Sequence, residues 1–257
     1  MADDLVLYNL NAGIAFLTLN HSQKRNALSS HLLATLGKHL QTIAGDSAAR
    51  VVVLRSAGAV FSSGHDLREL YGRSESEYAR LFALCSQVME QIRKLPQPVI
   101  AQVQGLATAA GCQLVASCDL VVASENAAFA TPGVKIGLFC TTPGVALSRA
   151  IGSKKSLEML LTGDPISAGE AERIGLVNRV VPADQLEAET LNLARKIAAA
   201  SSQTIRLGKQ AFYEQLGRDR PAAYQFAEQI MVQNAQMADA KEGIGAFLEK
   251  REPRWST

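Results

Sequence analysis

The sequence predicts an α/β core that gives way, near residue 200, to an all-helical portion, and three observations carry that prediction. From Pro98 to Asp119 the chain reads PVIAQVQGLATAAGCQLVASCD. Its apolar, β-branched opening, Val99–Val103 behind Pro96 and Pro98, reads as a buried strand. Gly105 and the small residues Ala107 to Gly111 break it, and Leu114, Val115 and Cys118 then recur at helical spacing. Arg50 to Leu67, RVVVLRSAGAVFSSGHDL, repeats the pattern, with Ser63-Gly64-His65-Asp66-Leu67 laid over Ala110-Gly111-Cys112-Gln113-Leu114. After Pro182 the strand signals stop and only helical periodicity continues.

Taken in order, Leu5-Val6-Leu7-Tyr8 and Ile14–Leu19, split by Asn11-Ala12-Gly13, predict a β-hairpin. Ser29 caps a helix with Leu32, Leu33, Leu36 and Leu40 on one face. Strand Val51–Leu54 and the first small turn follow, then a helix over Glu75 to Lys94 with Leu81, Leu84, Val88 and Ile92 at helical spacing. After the central strand and second turn comes a strand at Leu120–Ala123. Ala127 to Gly144 is rich in glycine, proline and threonine and reads as a loop forming a pocket wall. Val145–Ala150, Lys154–Leu161 and Ala168–Ile174 read as helices before a strand at Leu176–Val181. Helices are then expected over Leu186–Ala200, Thr204–Leu216, Pro221–Ala238 and Lys241–Lys250.

A strand that passes through tiny residues into a helix lets a ligand approach the backbone and leaves the first helical N–H groups unpaired. Tight packing with no ligand explains one such unit equally well. Two units can aim two sets of N–H groups at one point, as a thioester enolate or tetrahedral oxyanion requires.

At 257 residues, one large domain or one domain with an appendage is expected: a core over 1–200 and a helical region over 201–257. Apolar residues at 47% and charged residues at 19% fit a globular chain, and a net charge of +2 gives no argument for nucleic acid or a membrane surface. Cys85, Cys112, Cys118 and Cys140 are scattered and read as reduced thiols, and His21, His31, His39 and His65 lack metal-ligand spacing. Met1-Ala2-Asp3-Asp4 is an acidic start with no leader pattern, and no apolar run is long enough to span a membrane. A cytoplasmic protein with no metal and no cofactor is the expectation.

Several stretches together resemble the enoyl-CoA hydratase/isomerase (crotonase) superfamily: Leu19-Asn20-His21-Ser22-Gln23-Lys24-Arg25-Asn26-Ala27-Leu28, Phe61 to Leu70, Gly105 to Asp119, Phe129-Ala130-Thr131-Pro132, Thr162 to Ala168, and Ile174 to Val181. The match covers nearly the whole chain and is similar to the branch of enoyl-CoA hydratase domain-containing proteins, which also read SSGHD, AAGCQ and TPGV. The resemblance implies a spiral of ββα units, a helical C-terminal region that packs subunits into trimers or hexamers, and an acyl-CoA thioester as ligand. It places the two oxyanion N–H groups at His65 and Ala110. It places CoA contacts at Lys24, Arg25, Ala27, Leu28, Asp66, Leu67, Arg68 and Gly111, and at Phe247 and Lys250, sometimes from a neighbouring subunit.

The two-glutamate hydratases of the family hold a water across the substrate double bond. Here the first glutamate position is Gln113 and the second is Gly133. An amide orients water but takes no proton at neutral pH, and glycine does neither. Lys135, Thr131, Cys140, Thr141 and Thr142 offer replacement chemistry only second to structural roles. Ser63, His65 and Asp66 form no triad, because adjacent residues cannot line up nucleophile, base and orienter, and there is no Gly-x-Ser-x-Gly elbow. Asp66 is expected to cap the following helix. The His65 imidazole is either an acid or base facing the acyl group or a packing element whose N–H alone matters. Two functions follow: an acyl-CoA enzyme of fatty-acid metabolism whose acid/base groups differ from the hydratases, with His65 as candidate, or a non-catalytic acyl-CoA binder or regulator.

Overall fold

The computed structural model describes residues 5–256; the acidic start, Met1 to Asp4, lies outside them. Ten strands form two sheets. The hairpin strands β1 (Val6–Asn11) and β2 (Ile14–Leu19) pair antiparallel, and β3 (Val51–Ser56), β5 (Val99–Val103), β7 (Leu120–Ser124) and β10 (Arg179–Val181) extend them in parallel into a six-stranded sheet. A second sheet holds four short strands in the order β4 (Val60–Ser62), β6 (Leu106–Thr108), β8 (Ala128–Ala130) and β9 (Ile166–Ser167).

Three parallel strands of the first sheet are each followed by a short strand of the second and then by a helix. β3 and β4 lead to α2 (Glu75–Lys94), β5 and β6 to α3 (Ala110–Ser117), and β7 and β8 to α4 (Thr141–Ala150). This is the ββα repeat. α1 (Ser30–Gly45) precedes it; α5 (Ser153–Thr162), α6 (Ala168–Arg173) and α7 (Leu186–Ala198) follow. Then come α8 (Ser202–Gln215), α9 (Arg220–Gln236) and α10 (Ala238–Leu248).

Strands buried on both faces read as continuous apolar runs rather than alternating ones, and β3 shows why. Val52 and Leu54 join the main core with Leu32, Leu36 and Ile92, while Val51 and Val53 point the other way onto Leu186 and Ala194 of α7. The Ser29 side chain accepts from the Leu32 N–H, as expected of a cap, and α2 spans the predicted residues behind a Ser74–Glu77 capping box.

Three departures from the sequence reading have local causes. α4 begins at Thr141 rather than Val145, because Pro143 falls in the first turn, where its missing N–H would have had no partner. β10 starts only at Arg179, since Leu176 and Val177 both donate to the Ala171 carbonyl and round off α6. The 127–144 stretch is not loop throughout: it holds β8, a 3-10 turn over 132–136 and the start of α4.

A buried tie joins α8 to the sheet. Lys209 donates to an Asp119 carboxylate oxygen at 2.6 Å and to the Ile92 and Gln97 carbonyls, while the Tyr213 hydroxyl donates to the other Asp119 oxygen at 2.7 Å. Even so, α8 and α9 bury none of their own residues fully. No helix among the described residues is long and apolar enough to cross a membrane.

Candidate functional site

The site is built where two chain segments zip together. The Leu28 N–H donates to the Gly64 carbonyl, Ser63 N–H to the Arg25 carbonyl, and the Ser62 hydroxyl to the Asn26 carbonyl. Asn26, fully buried at a φ of +50°, pins the first segment: its side chain accepts from His21 N–H and donates to the Ala57 and Val60 carbonyls. Asparagine tolerates this left-handed backbone better than most residues. The strain-tolerant residue was the available signal for this anchor, and the sequence reading missed it.

Two turns then meet. At Gly64 (φ +84°) an added Cβ would lie 2.9 Å from the Ala109 Cβ and 3.2 Å from the Ala110 nitrogen, so only glycine lets the turn ending in His65 abut the start of α3. Ala109 adopts φ +50°, ψ −119°, a conformation that costs a non-glycine residue energy and that neighbouring structure must enforce. Ala110 itself has an ordinary φ and is the first residue of α3. Among the described residues, neither the His65 nor the Ala110 N–H has a hydrogen-bond partner. The expectation that both sit at helix N-termini holds only for Ala110. After His65 the chain forms a single 3-10 turn, Leu67–Glu69, capped by Asp66, whose carboxylate accepts from Arg68 N–H at 3.0 Å.

Both turns line one cavity of about 470 Å³ with mainly apolar walls, among them Leu67, Leu70, Phe82, Leu138 and Phe139. The His65 ring stacks edge-on against Phe82, and its Nδ1 lies 3.3 Å from the Leu28 carbonyl oxygen. A carbonyl only accepts, so Nδ1 carries the proton and Nε2 the lone pair. Nε2 is buried with no partner. Burial lowers the His65 pKa below its ordinary 6.5, against the opposing pull of the Leu28 bond and of Glu69. The ring is neutral near pH 7.

Gly133 lines the same cavity, and its lack of a side chain is enforced. A Cβ there would lie 2.1 Å from the Leu138 carbonyl oxygen and 2.7 Å from Cys140 Sγ. The Cys140 thiol therefore stands beside the position of the second family glutamate. Burial raises its pKa, so it stays protonated. Lys135 is spent on Asp164 at 2.6 Å, and the buried Thr131 hydroxyl on the Met159 carbonyl.

Other expected contacts do not gather here. Gln113 is buried on α3 and lines a separate cavity, because it lies one helical turn beyond Ala110. Gly111 faces away from the cavity onto Ser62, whose carbonyl oxygen would be 2.5 Å from an added Cβ; it is a packing glycine. The Leu28 side chain is fully buried in the core, and the Ala27 carbonyl is used by Ser29 N–H. Lys24, Arg25 and Arg68 are exposed, and Leu67 is both exposed and cavity-lining. Phe247 and Lys250, also exposed, are not among the residues lining the cavity within one chain.

A two-sheet ββα spiral whose small-residue turns open on an apolar cavity defines a protein of the crotonase fold, and the chain belongs to the enoyl-CoA hydratase/isomerase family, whose model matches residues 9–257. It is 52% identical over 245 residues to the human enoyl-CoA hydratase domain-containing protein 3, mitochondrial, covering 95% of this chain and 81% of that one. The crystal structure of that human protein superposes with a TM-score of 0.96 at 50% identity, over 98% of this chain and 100% of that one. An enoyl-CoA hydratase structure from Mycobacterium smegmatis superposes equally well, at 0.96 and 48% identity, over 98% of this chain and 99% of that one. These relatives overturn the expectation of a cytoplasmic location: the human and mouse proteins, and a probable enoyl-CoA hydratase of Dictyostelium discoideum, are named mitochondrial. Scattered buried cysteines do not distinguish one reducing compartment from another.

Proposed function

We propose that this protein binds an acyl-CoA thioester, with the thioester oxygen at the His65 and Ala110 N–H groups and the acyl chain in the apolar cavity. The observation that carries this reading is the pair of unpartnered backbone N–H groups on abutting turns that line one cavity. Donors placed in advance around an oxygen that gains charge lower the barrier to enolate formation without having to reorganise. His65 is the candidate acid or base: it lines the cavity, and its neutral ring keeps a lone pair on Nε2. Hydration through two glutamates is disfavoured, since Gln113 takes no proton and lies outside the cavity and Gly133 has no room for a side chain. Fatty-acid metabolism is the setting this ligand suggests.

The buried Nε2 also supports a second reading, a non-catalytic acyl-CoA binder or regulator, because a base screened from the cavity contributes nothing to turnover. No cofactor is invoked in either reading. Copies of the chain assemble as trimers or hexamers: Tyr224, Met231, Val232, Ile244 and Phe247 leave an exposed apolar surface on α9 and α10 that association would cover.

Calorimetry with a panel of acyl-CoA thioesters, followed by turnover assays on wild type and His65→Ala, tests these readings. Turnover that vanishes in His65→Ala while binding persists supports the enzyme. Tight binding with no turnover across the panel supports the binder, and no binding of any thioester refutes both.

A further inference from the structure

Three helices leave the site side by side, and the residues they turn inward change character along the way. On α2 the stripe runs from Phe82 through Ser86 to Arg93; on α3 from Ala110 to Gln113; on α4 from Thr142 through Val145 to Arg149. These are steps of three, four and seven residues, so each set lies on one helix face. The near ends line the apolar cavity and the far ends a second cavity of about 270 Å³, and Thr142 lines both. Arg93 and Arg149 also border the larger cleft beyond.

The second cavity holds donors that no carboxylate takes up. Among the described residues neither arginine has a carboxylate partner: Arg93 stacks on Tyr213 at 4.3 Å, and Arg149 donates one N–H to its own helix at the Val145 carbonyl. Gln113 is only 4% exposed, and neither end of its amide has a partner. Glu90, the one carboxylate lining the cavity, pairs with Lys94 at 3.5 Å, and Asp119 beyond it is taken by Lys209 and Tyr213. Arginines in the last turns of α2 and α4 also complement the helix dipoles, which accounts for their placement. It does not account for an unpaired buried amide beside them.

Resting on the thioester reading above, we infer that the acyl group this protein takes ends in a carboxylate, held by Arg93, Arg149 and the Gln113 amide nitrogen. The walls up to Thr142 suit methylenes, and the donors beyond suit the anionic end. Guanidinium pairs bidentately with a carboxylate, whereas a methyl terminus would leave these donors without an acceptor.

The test compares adipoyl-CoA with hexanoyl-CoA, equal in carbon number and differing at the far end, by calorimetry on the full chain. Adipoyl-CoA is expected to bind about tenfold to a hundredfold tighter, the effect of hydrogen bonds to a charged group. In Arg149→Gln that advantage shrinks toward unity while hexanoyl-CoA binds as before; Arg149 is exposed, so the fold survives. Arg93→Gln, checked by thermal melting for the lost Tyr213 stack, repeats the test on the other wall. Hexanoyl-CoA binding as well as adipoyl-CoA, or either change weakening both ligands equally, overturns the carboxylate end group and leaves the thioester reading standing. If neither thioester binds, both inferences fall.

Discussion

Restoring the second family glutamate, Gly133→Glu, is predicted to damage the protein rather than create a hydratase. The Cβ of any side chain at 133 would sit 2.1 Å from the Leu138 carbonyl oxygen, so that backbone must move by about an ångström to reach ordinary contact. The moving atoms belong to main chain rather than to the far end of a flexible side chain. Overpacking of this sort costs about 1–3 kcal/mol. The shift also strains the Leu138 N–H bond to the Gly133 carbonyl, now 2.9 Å, for about 1 kcal/mol more. A total of about 2–4 kcal/mol lowers the melting temperature of a chain this size by on the order of 10 °C. Scanning calorimetry of Gly133→Glu and of Gly133→Glu with Gln113→Glu, alongside crotonyl-CoA hydration, measures both sides of the claim. A single variant that melts with the parent and hydrates more than tenfold faster would show that the 137–140 loop yields freely, and the steric reasoning would be wrong.

Wild-type protein is expected to hydrate crotonyl-CoA slowly or not at all, since each lost proton-transfer group is worth roughly 10²–10⁴-fold; a kcat within about tenfold of a two-glutamate hydratase contradicts this. Lys209→Met should destabilise the fold by about 3–5 kcal/mol in urea denaturation, because it strands the buried Asp119 carboxylate; a change under 1 kcal/mol counts against the tie. His65 gives a pH dependence of known sign. Its folded pKa lies below 6.5, so the unfolded chain takes up the proton first, and stability present above pH 6.5 is lost as the pH falls through the window down to the folded pKa. Denaturation between pH 7.5 and 5 should show a shallower fall in His65→Asn than in wild type, and parallel curves would refute the assignment.

The long elements were legible because amphipathic periodicity over sixteen or twenty residues, as in α1 and α2, has no competing explanation. The second sheet was not, since strands of two or three residues, such as Leu106–Thr108 and Ala128–Ala130, are too short to display a period of two. For the site, glycines and small residues marked the two turns, and the resemblance marked His65 and Ala110. Hidden from both were facts set by distant segments. Leu138 closes position 133, Phe82 shields the His65 ring, and Arg93 and Arg149 arrive beside Gln113 from different helices. No local pattern encodes such meetings, because each depends on how helices pack after they form.

The Leu28 carbonyl has a consequence beyond the loop it closes. Because it can only accept, it selects one of the two imidazole tautomers and so decides which edge of the His65 ring is the donor and which the acceptor. That oxygen lies 37 residues earlier in the chain, on a segment knotted in place by Asn26. The acid–base identity of the ring is thus held by a neighbour that no ligand need touch. Loosening Asn26 would release the Leu28 carbonyl from the ring and free the proton to change nitrogens, turning a proton acceptor into a donor.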